Sequence, residues 1–422
     1  MRKMRDSGNM WIGATPETWK MIPLKYLASY NDEVLSENTD DEFEFDYIEI
    51  GSVQYGRGII YTEHMKFKNA PSRARRIVRK DDIIVSTVRT YLKAVATIPA
   101  CNNSLIASTG FIVIRPHKVL PRFMNYALLS ESFISLVESH STGISYPAIN
   151  SVDVVKFKIP VPCRSEQERI AAFLDAECAE IDTVLEKTRA SIEEYKKLKQ
   201  AVITQAVTKG IRGDRPMKDS GIEWIGEIPA EWDVIRVKQL LKERNERSKE
   251  GKEEPLSMSQ KVGLVPTKFL ESIPNMASSF VGAKLAYVDD LVFNKLKAHL
   301  GVFSVSRYDG LVSPDYAVYC STGKSNLKYL EYIFKTPQCI GEFRKKSTGI
   351  AAGLMRLYTE GLFSIYLPYP ALSEQEEIAE YLNEKCAGID ALIVKKQQYL
   401  IEIENYKKSL IYEYVTGKKE VV

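Results

Sequence analysis

Two textures alternate along this chain. From about residue 20 to 160, apolar residues come in short runs or alternate with polar ones, broken by Gly, Pro, Asn and Asp. Phe45–Ile50, Ile83–Val88 and Gly110–Arg115 read as strands. Pro121–Ser139, and later Lys328–Lys345, carry helical spacing and are predicted to be amphipathic helices. The mixture predicts an α+β globule. Pro160-Val161-Pro162 closes it, and the pattern becomes helical. Ser165 followed by Glu168 has the form of a capping box, repeated by Ser373 and Glu376. No proline interrupts Ser165–Lys209 or Ser373–Thr416. Within these stretches Ile181, Leu185, Thr188, Ile192 and Tyr195 step by alternating four and three. Ile389, Ile393, Lys396, Leu400 and Ile403 do the same, continuing to Tyr406 and Leu410. So narrow a seam is that of a coiled coil, with Lys396 as an imperfection. Two such helices separated by a globule are expected to pair antiparallel. From Ile181 to Thr208 a helix would run about 40 Å at about 1.5 Å per residue.

The pattern occurs twice. Asp6-Ser7-Gly8-x-x-Trp11-Ile12-Gly13-x-x-Pro16-x-x-Trp19 returns as Asp219-Ser220-Gly221-x-x-Trp224-Ile225-Gly226-x-x-Pro229-x-x-Trp232, and these segments hold all four tryptophans. SEQERIAAFLDAECAEID from Ser165 returns as SEQEEIAEYLNEKCAGID from Ser373. Asp81–Val85 answers Asp289–Phe293, and Ser141-Thr142-Gly143-Ile144 answers Ser347-Thr348-Gly349-Ile350. Order and spacing persist, so this is a tandem duplication, with a period far above that of a solenoid. The predicted organisation is a globule over 1–163, a helical spacer over 164–212, a second globule over 213–371 and a second spacer over 372–422. The paired tryptophans most simply anchor each globule's opening strand, with partner docking as the alternative.

Composition narrows the class. The 422 residues are 45% hydrophobic and 27% charged, as in a folded chain, and the formal net charge is only +3. Local basic patches remain compatible with that balance. No apolar run approaches the roughly 20 residues that span a bilayer, and no membrane association is expected. Six cysteines (Cys101, Cys163, Cys178, Cys320, Cys339, Cys386) lack CxxC spacing, so they are expected to be reduced and buried, in a cytoplasmic protein.

Catalytic signatures fail one by one. No GxGxxG follows a strand, and Gly323-Lys324-Ser325 lacks the first glycine of a phosphate loop because Val318 stands there. No Asn-Pro-Pro-aromatic occurs. Pro314-Asp315 has no acidic-x-Lys partner nearby, and His64, His117, His140 and His299 are isolated. Basic chemistry stands out instead. Lys66, Lys68, Arg73, Arg75, Arg76, Arg79 and Lys80 fall within fifteen residues that contain no acid. Such a cluster suits phosphate contact, or else is a solvated loop. Arg89, Tyr91 and Lys93 follow a predicted strand, and the duplication sets Asn294, Lys295, Lys297 and His299 after its partner. Arg, Lys and Asn pair with base edges in the major groove; ordinary strand ends are the alternative. Arg344, Lys345 and Lys346 precede the Ser-Thr-Gly loop of the second copy, but the first copy has no such basic run. Arg236, Lys238, Lys242, Arg244, Arg247, Lys249 and Lys252 alternate with acids, as on a solvated helix face.

The doubled D-S-G-x-x-W-I-G-x-x-P-x-x-W opening, with P-x-P and S-E-Q-E-x-I-A-x-x-L before each long helix, resembles the specificity subunit of Type I restriction–modification enzymes. The resemblance covers essentially the whole chain, in the family's order. It implies two α+β target recognition domains, each reading one half of a bipartite site on double-stranded DNA. It implies that the helices set the gap and dock two methyltransferase subunits, which carry S-adenosylmethionine, and that a restriction/translocase subunit joins for cleavage. No cofactor and no catalytic residue is then expected on this chain. Base-reading residues vary within the family, so none is transferred. Globules about 40 Å apart would match about one duplex turn, on the order of 34–36 Å. Two other readings are a specificity subunit serving a Type II enzyme with fused cleavage and methylation, and a protein-binding scaffold that does not touch DNA.

Overall fold

The computed structural model describes residues 2–101, 103–260, 262–270, 280–349 and 355–421. The chain forms two compact units, Met1–Arg189 with Gln398–Val422, and Ala190–Gln397. Each unit therefore takes one globule and a part of both long helices, Arg164–Lys209 and Leu372–Val415.

In the first unit an antiparallel sheet runs in the order Val95–Thr97, Ile83–Ser86, Phe111–Pro116, Ala28–Tyr30. Alternation along its inner strands feeds two cores. Ile83, Val85, Ile112 and Ile114 join Trp19 and the helices, while Ile84, Phe111 and Val113 face a second sheet. That sheet is ordered Glu63–Lys66, Glu44–Ile48, Leu105–Ser108, Ala74–Val78, with its middle pair parallel. The second unit repeats the first sheet as Phe303–Val305, Leu291–Asn294, Tyr316–Ser321, Leu241–Arg244. Leu291 and Phe293 face the helical core and Val292 the other side. A strand buried on both faces reads as a continuous apolar run, which is why these strands were legible.

The two predicted amphipathic helices are each divided. Pro121–Leu129 and Glu131–Ser139 meet at Ser130, whose backbone is extended (ψ 144°) and whose hydroxyl donates to the Ala127 carbonyl at 2.6 Å. Leu327–Phe334 and Pro337–Lys346 are separated by Thr336, which caps the second helix ahead of Pro337. The spacing of apolar residues survives such a break, so periodicity alone did not show it.

The capping boxes do not form. The long helices begin at Arg164 and Leu372, one residue ahead of Ser165 and Ser373, and Glu168 bonds Arg164 instead. The repeated spacing serves the next two residues. Glu166 accepts the Trp19 indole N–H at 3.0 Å and the Arg2 guanidinium; Glu374 accepts Trp232 at 2.9 Å and Arg215 at 2.7 Å. Gln167 accepts the Leu120 N–H at 2.8 Å and donates to the Pro162 carbonyl at 3.0 Å. Gln375 does the same with Asn326 and Pro370, both at 3.0 Å. Trp19 and Trp232 are thus the core anchors, whereas Trp11 stays exposed and Trp224 half-buried.

The helices pair antiparallel within each unit. In the first, Lys407 bonds Asp182 at 2.7 Å and Arg189 bonds Glu404 at 2.6 Å. In the second, Lys199 bonds Asp390 at 2.6 Å, and the Lys396 ammonium lies 5.7 Å from the Tyr195 ring centroid. Ile181, Leu185, Thr188 and Ile192 are buried as the seam requires. Tyr406 is not in the seam. It is exposed, and Lys407 turns inward to reach Asp182 and the Gly56 carbonyl. The cysteines divide too: Cys178, Cys339 and Cys386 are buried, while Cys101 and Cys163 are exposed. Among the described residues no helix is long and apolar enough to cross a membrane.

Glu374→Ala strips the buried Trp232 N–H and Arg215 of their shared acceptor. We expect a loss of about 2–4 kcal/mol in thermal or denaturant unfolding. The surface pair Lys199–Asp390 tests the contrast, since Asp390→Ala should cost less than about 1 kcal/mol.

Candidate nucleic-acid interface

The sequence candidates fall at three places. In the first copy Arg89 and Lys93 bracket the single turn Thr90–Leu92, just past the central strand Ile83–Ser86. Both have left-handed backbone, φ +53° and +51°, a conformation in which a Cβ is unfavourable. In the second copy the equivalent turn is Ala298–Leu300, with Lys297 and Gly301 at the bracketing positions. Glycine at φ +78° meets there without strain the requirement that Lys93 meets with strain. Arg89 and Lys297 therefore stand at the same place ahead of the turn, 208 positions apart as the sequence register indicates, although Lys297 has φ -121° where Arg89 is left-handed.

The Ser-Thr-Gly loop packs beside this turn. In the first copy Thr142 and Ala148 close a small hairpin with reciprocal 2.9 Å backbone bonds, and Ala148 bridges Val88. Ser141 accepts the Thr90 hydroxyl at 2.9 Å. The Arg89 guanidinium sits 5.2 Å from the Tyr146 ring centroid, so a charge and an exposed aromatic ring are held together. Tyr91 is also exposed, and Lys93 pairs with Glu138 at 3.5 Å. In the second copy Thr348 bridges Arg356, and the Lys295 carbonyl accepts the Leu357 N–H at 3.0 Å. Ile350, the last residue of the repeated Ser-Thr-Gly-Ile, lies outside the described residues. Arg344, Lys345 and Lys346 form the last turn of Pro337–Lys346, where cations complement the negative end of the helix dipole; Lys345 pairs with Glu342 at 2.8 Å. In both copies, then, the second and third sequence candidates belong to one surface.

Two residues stand differently from the rest. His299 is 8% exposed, in a turn packed on the helix Pro337–Lys346, so burial takes it off that surface. Lys295 is half-buried; desolvation, with help from Lys284, lowers its pKa, and its ammonium donates to the Pro314 carbonyl at 3.4 Å.

The basic window Lys66–Lys80 is spread over both ends of a sheet. Lys66 and Lys68 both bond Glu42, whose carboxyl they hold below its ordinary pKa. Arg79 bonds Glu33 at 2.7 Å at the same end. Acids absent from the window are thus supplied by neighbouring chain segments. Arg75 lies over the Phe67 ring at 4.9 Å, and Arg76 is half-buried, its pKa lowered by desolvation. Arg73 is at the other end. Its carbonyl accepts the Thr109 N–H at 2.8 Å, and the adjacent Gly110 carbonyl accepts from Thr87 at 2.8 Å, which joins Arg73 to the Arg89 surface. Arg73 is exposed and forms no ion pair among the described residues.

Sequence reasoning missed Tyr146, Ile144 and Arg356. The repeated Thr-Gly-Ile was visible, but its loop reaches the Arg89 turn through the Thr90–Ser141 bond, 51 positions apart, and only by the fold.

Comparison with known proteins places this arrangement. The family model described as "Type I restriction modification DNA specificity domain" matches residues 16–194. The chain is similar to the Type I restriction enzyme MjaVIII specificity subunit of Methanocaldococcus jannaschii, 24% identical over 96% of this chain and 94% of that one. It is 22% identical to the EcoDI specificity subunit of Escherichia coli over 72% of each. Among solved structures, a chain from work on assembly and conformational transition of the type I R-M system superposes with TM-score 0.75 at 19% identity, covering 96% of this chain and 99% of that one. The HsdS subunit from Thermoanaerobacter tengcongensis gives 0.53 at 21%, covering 96% and 98%. These likenesses show the shared fold.

The ion pairs make a prediction that separates the basic residues. In duplex DNA binding by the full chain, Lys66→Ala with Lys68→Ala should change affinity less than about twofold, because Glu42 already occupies both. Arg73→Ala should lower the slope of log affinity against log salt by about one. Equal slopes for the two variants would show that the pairs to Glu42 do not hold in solution.

Proposed function

We propose that this chain, similar over nearly its whole length to Type I restriction–modification specificity subunits, is the DNA-reading part of such an enzyme. Each globule reads one half of a bipartite site on double-stranded DNA. The paired helices set the gap between halves and dock two methyltransferase subunits, and a restriction/translocase subunit joins for cleavage. S-adenosylmethionine and the reacting groups belong to those partners, in the cytoplasm, while this chain supplies recognition without catalysis.

The observation that supports this best is the shared scaffold with different surfaces. Arg89 and Lys297 occupy the same position, ahead of the same turn and after the same strand, while nearly every neighbour differs. One fold carrying two side-chain sets suits one protein reading two sequences. Both residue types donate to guanine in the major groove.

Methylome sequencing of a host carrying the chain with its neighbouring methyltransferase gene tests the reading. We expect a bipartite methylated motif, with Arg89→Ala relaxing one half and Lys297→Ala the other, by about 1–3 kcal/mol of discrimination each. A motif degraded at both halves by either variant, or no bipartite motif with the methyltransferase expressed, would overturn it.

The helices make a separate prediction. Seven residues inserted after Arg189, matched by seven after Gln397, add about two turns, on the order of 10 Å, without rotating the apolar seam. The unspecified gap should lengthen by up to about three base pairs and both half-sites should stay unchanged. Altered half-site bases would sink the ruler role.

A further inference from the structure

One side chain near the Arg89 surface has no structural use in the free protein. Ile144, at the tip of the Thr142–Ala148 hairpin, is 103% exposed, more than any other large apolar residue among those described. Reciprocal bonds close the hairpin at Thr142 and Ala148, and Gly143 turns it at φ +107°. A Cβ at Gly143 would approach the Tyr146 carbonyl oxygen to 3.2 Å, so the tip is tightly folded. Isoleucine gains nothing from exposure to water, and nothing in the hairpin's own packing calls for it.

The duplication supplies the second observation. Beyond the shared motif the residues of the two copies diverge, as Ser145-Tyr146-Pro147 against Ala351-Ala352-Gly353 illustrates. Thr-Gly-Ile nevertheless recurs at the same place in both. Ile144 is bare in the first copy, and the same residue type is kept at that place in the second, which points to something common to both half-sites. Base identity differs between halves, whereas the stacked duplex does not. The surroundings favour that partner. Arg89, with no ion pair among the described residues, flanks the tip through Tyr146, and the equivalent loop of the second copy follows exposed Arg344 and Lys346. Cations around an apolar point complement a phosphate backbone with base steps inside it. Isoleucine is among the residues that enter between base pairs and partly unstack them.

We propose that Ile144, presented by the Thr142–Ala148 hairpin beside the Arg89–Tyr146 stack, is a wedge that inserts at a base step of the first half-site. This rests on the DNA-reading function above. The wedge distorts the duplex at a fixed place, adding specificity for an easily unstacked step that no hydrogen bond reads.

The test uses the assembled complex with its methyltransferase subunits and a duplex carrying the methylome-defined site. 2-Aminopurine is placed in turn at each first-half position other than the methylated base. Wild type should raise fluorescence severalfold at one step. Ile144→Ala should abolish that rise and weaken binding on the order of tenfold, while Ile144→Phe keeps it. Unchanged thermal unfolding is expected, because the side chain is exposed. The proposal is overturned if wild type brightens no position, or if Ile144→Ala behaves as wild type while site-specific binding persists. It is also overturned if Ile144→Ala weakens subunit assembly without DNA, which would make the tip a methyltransferase contact. Absence of site-specific binding by wild type would instead remove the function on which it rests.

Discussion

A buried carboxylate in the first turn of each long helix joins globule to helix, and the rest of each unit is arranged around that junction. Glu166 and Glu374 each take a tryptophan N–H and an arginine, in a place where an unpaired charge would be prohibitively costly. The helix N-terminus adds a favourable field for the negative charge. The adjoining glutamine then bonds both the segment that starts the helix pair and the carbonyl of the closing proline segment. Direction and rotation of the helix relative to the sheet are thereby set together. In the first unit Arg2 also pairs with Glu420, so residues from the two ends of the sequence complete the same junction that a continuous segment through Arg215 completes in the second.

Around this common frame the copies solve one problem by different means. Asp82 and Asp290 are both buried beside the central strand, and both accept a backbone N–H three residues earlier, from Arg79 and Tyr287. Their charge is met by Arg115 in one copy and Arg244 in the other, from different strands of the sheet. Burial fixes the requirement for a cation, whereas any strand within reach can supply it. A duplicated scaffold can thus hold its geometry while its sequence drifts.

The same economy governs the surface. A net charge of +3 conceals a division of the basic residues into those held by acids and those left open. Lys66, Lys68 and Arg79 belong to the first group, and Arg73 and Arg89 to the second. Only open cations retain full attraction for a polyanion.

Much of this was written in the chain itself. Duplication, alternating texture and the antiparallel seam followed from residue order, because hydrophobic period and repeat spacing are properties of sequence. The equivalence of Arg89 and Lys297 followed likewise from a constant offset. Other features belonged to tertiary structure alone. Ser130 and Thr336 broke helices whose apolar spacing ran on unbroken, and SEQE acted through Glu166 and Gln167 because their partners, Trp19 and Leu120, lie far away in sequence. Lys66–Lys80 looked acid-free only because Glu42 and Glu33 approach from other segments. Ile144 was one apolar residue among many until the fold left it bare beside Arg89. Local pattern specifies elements; which groups meet, and which are left in water, is decided by long-range packing.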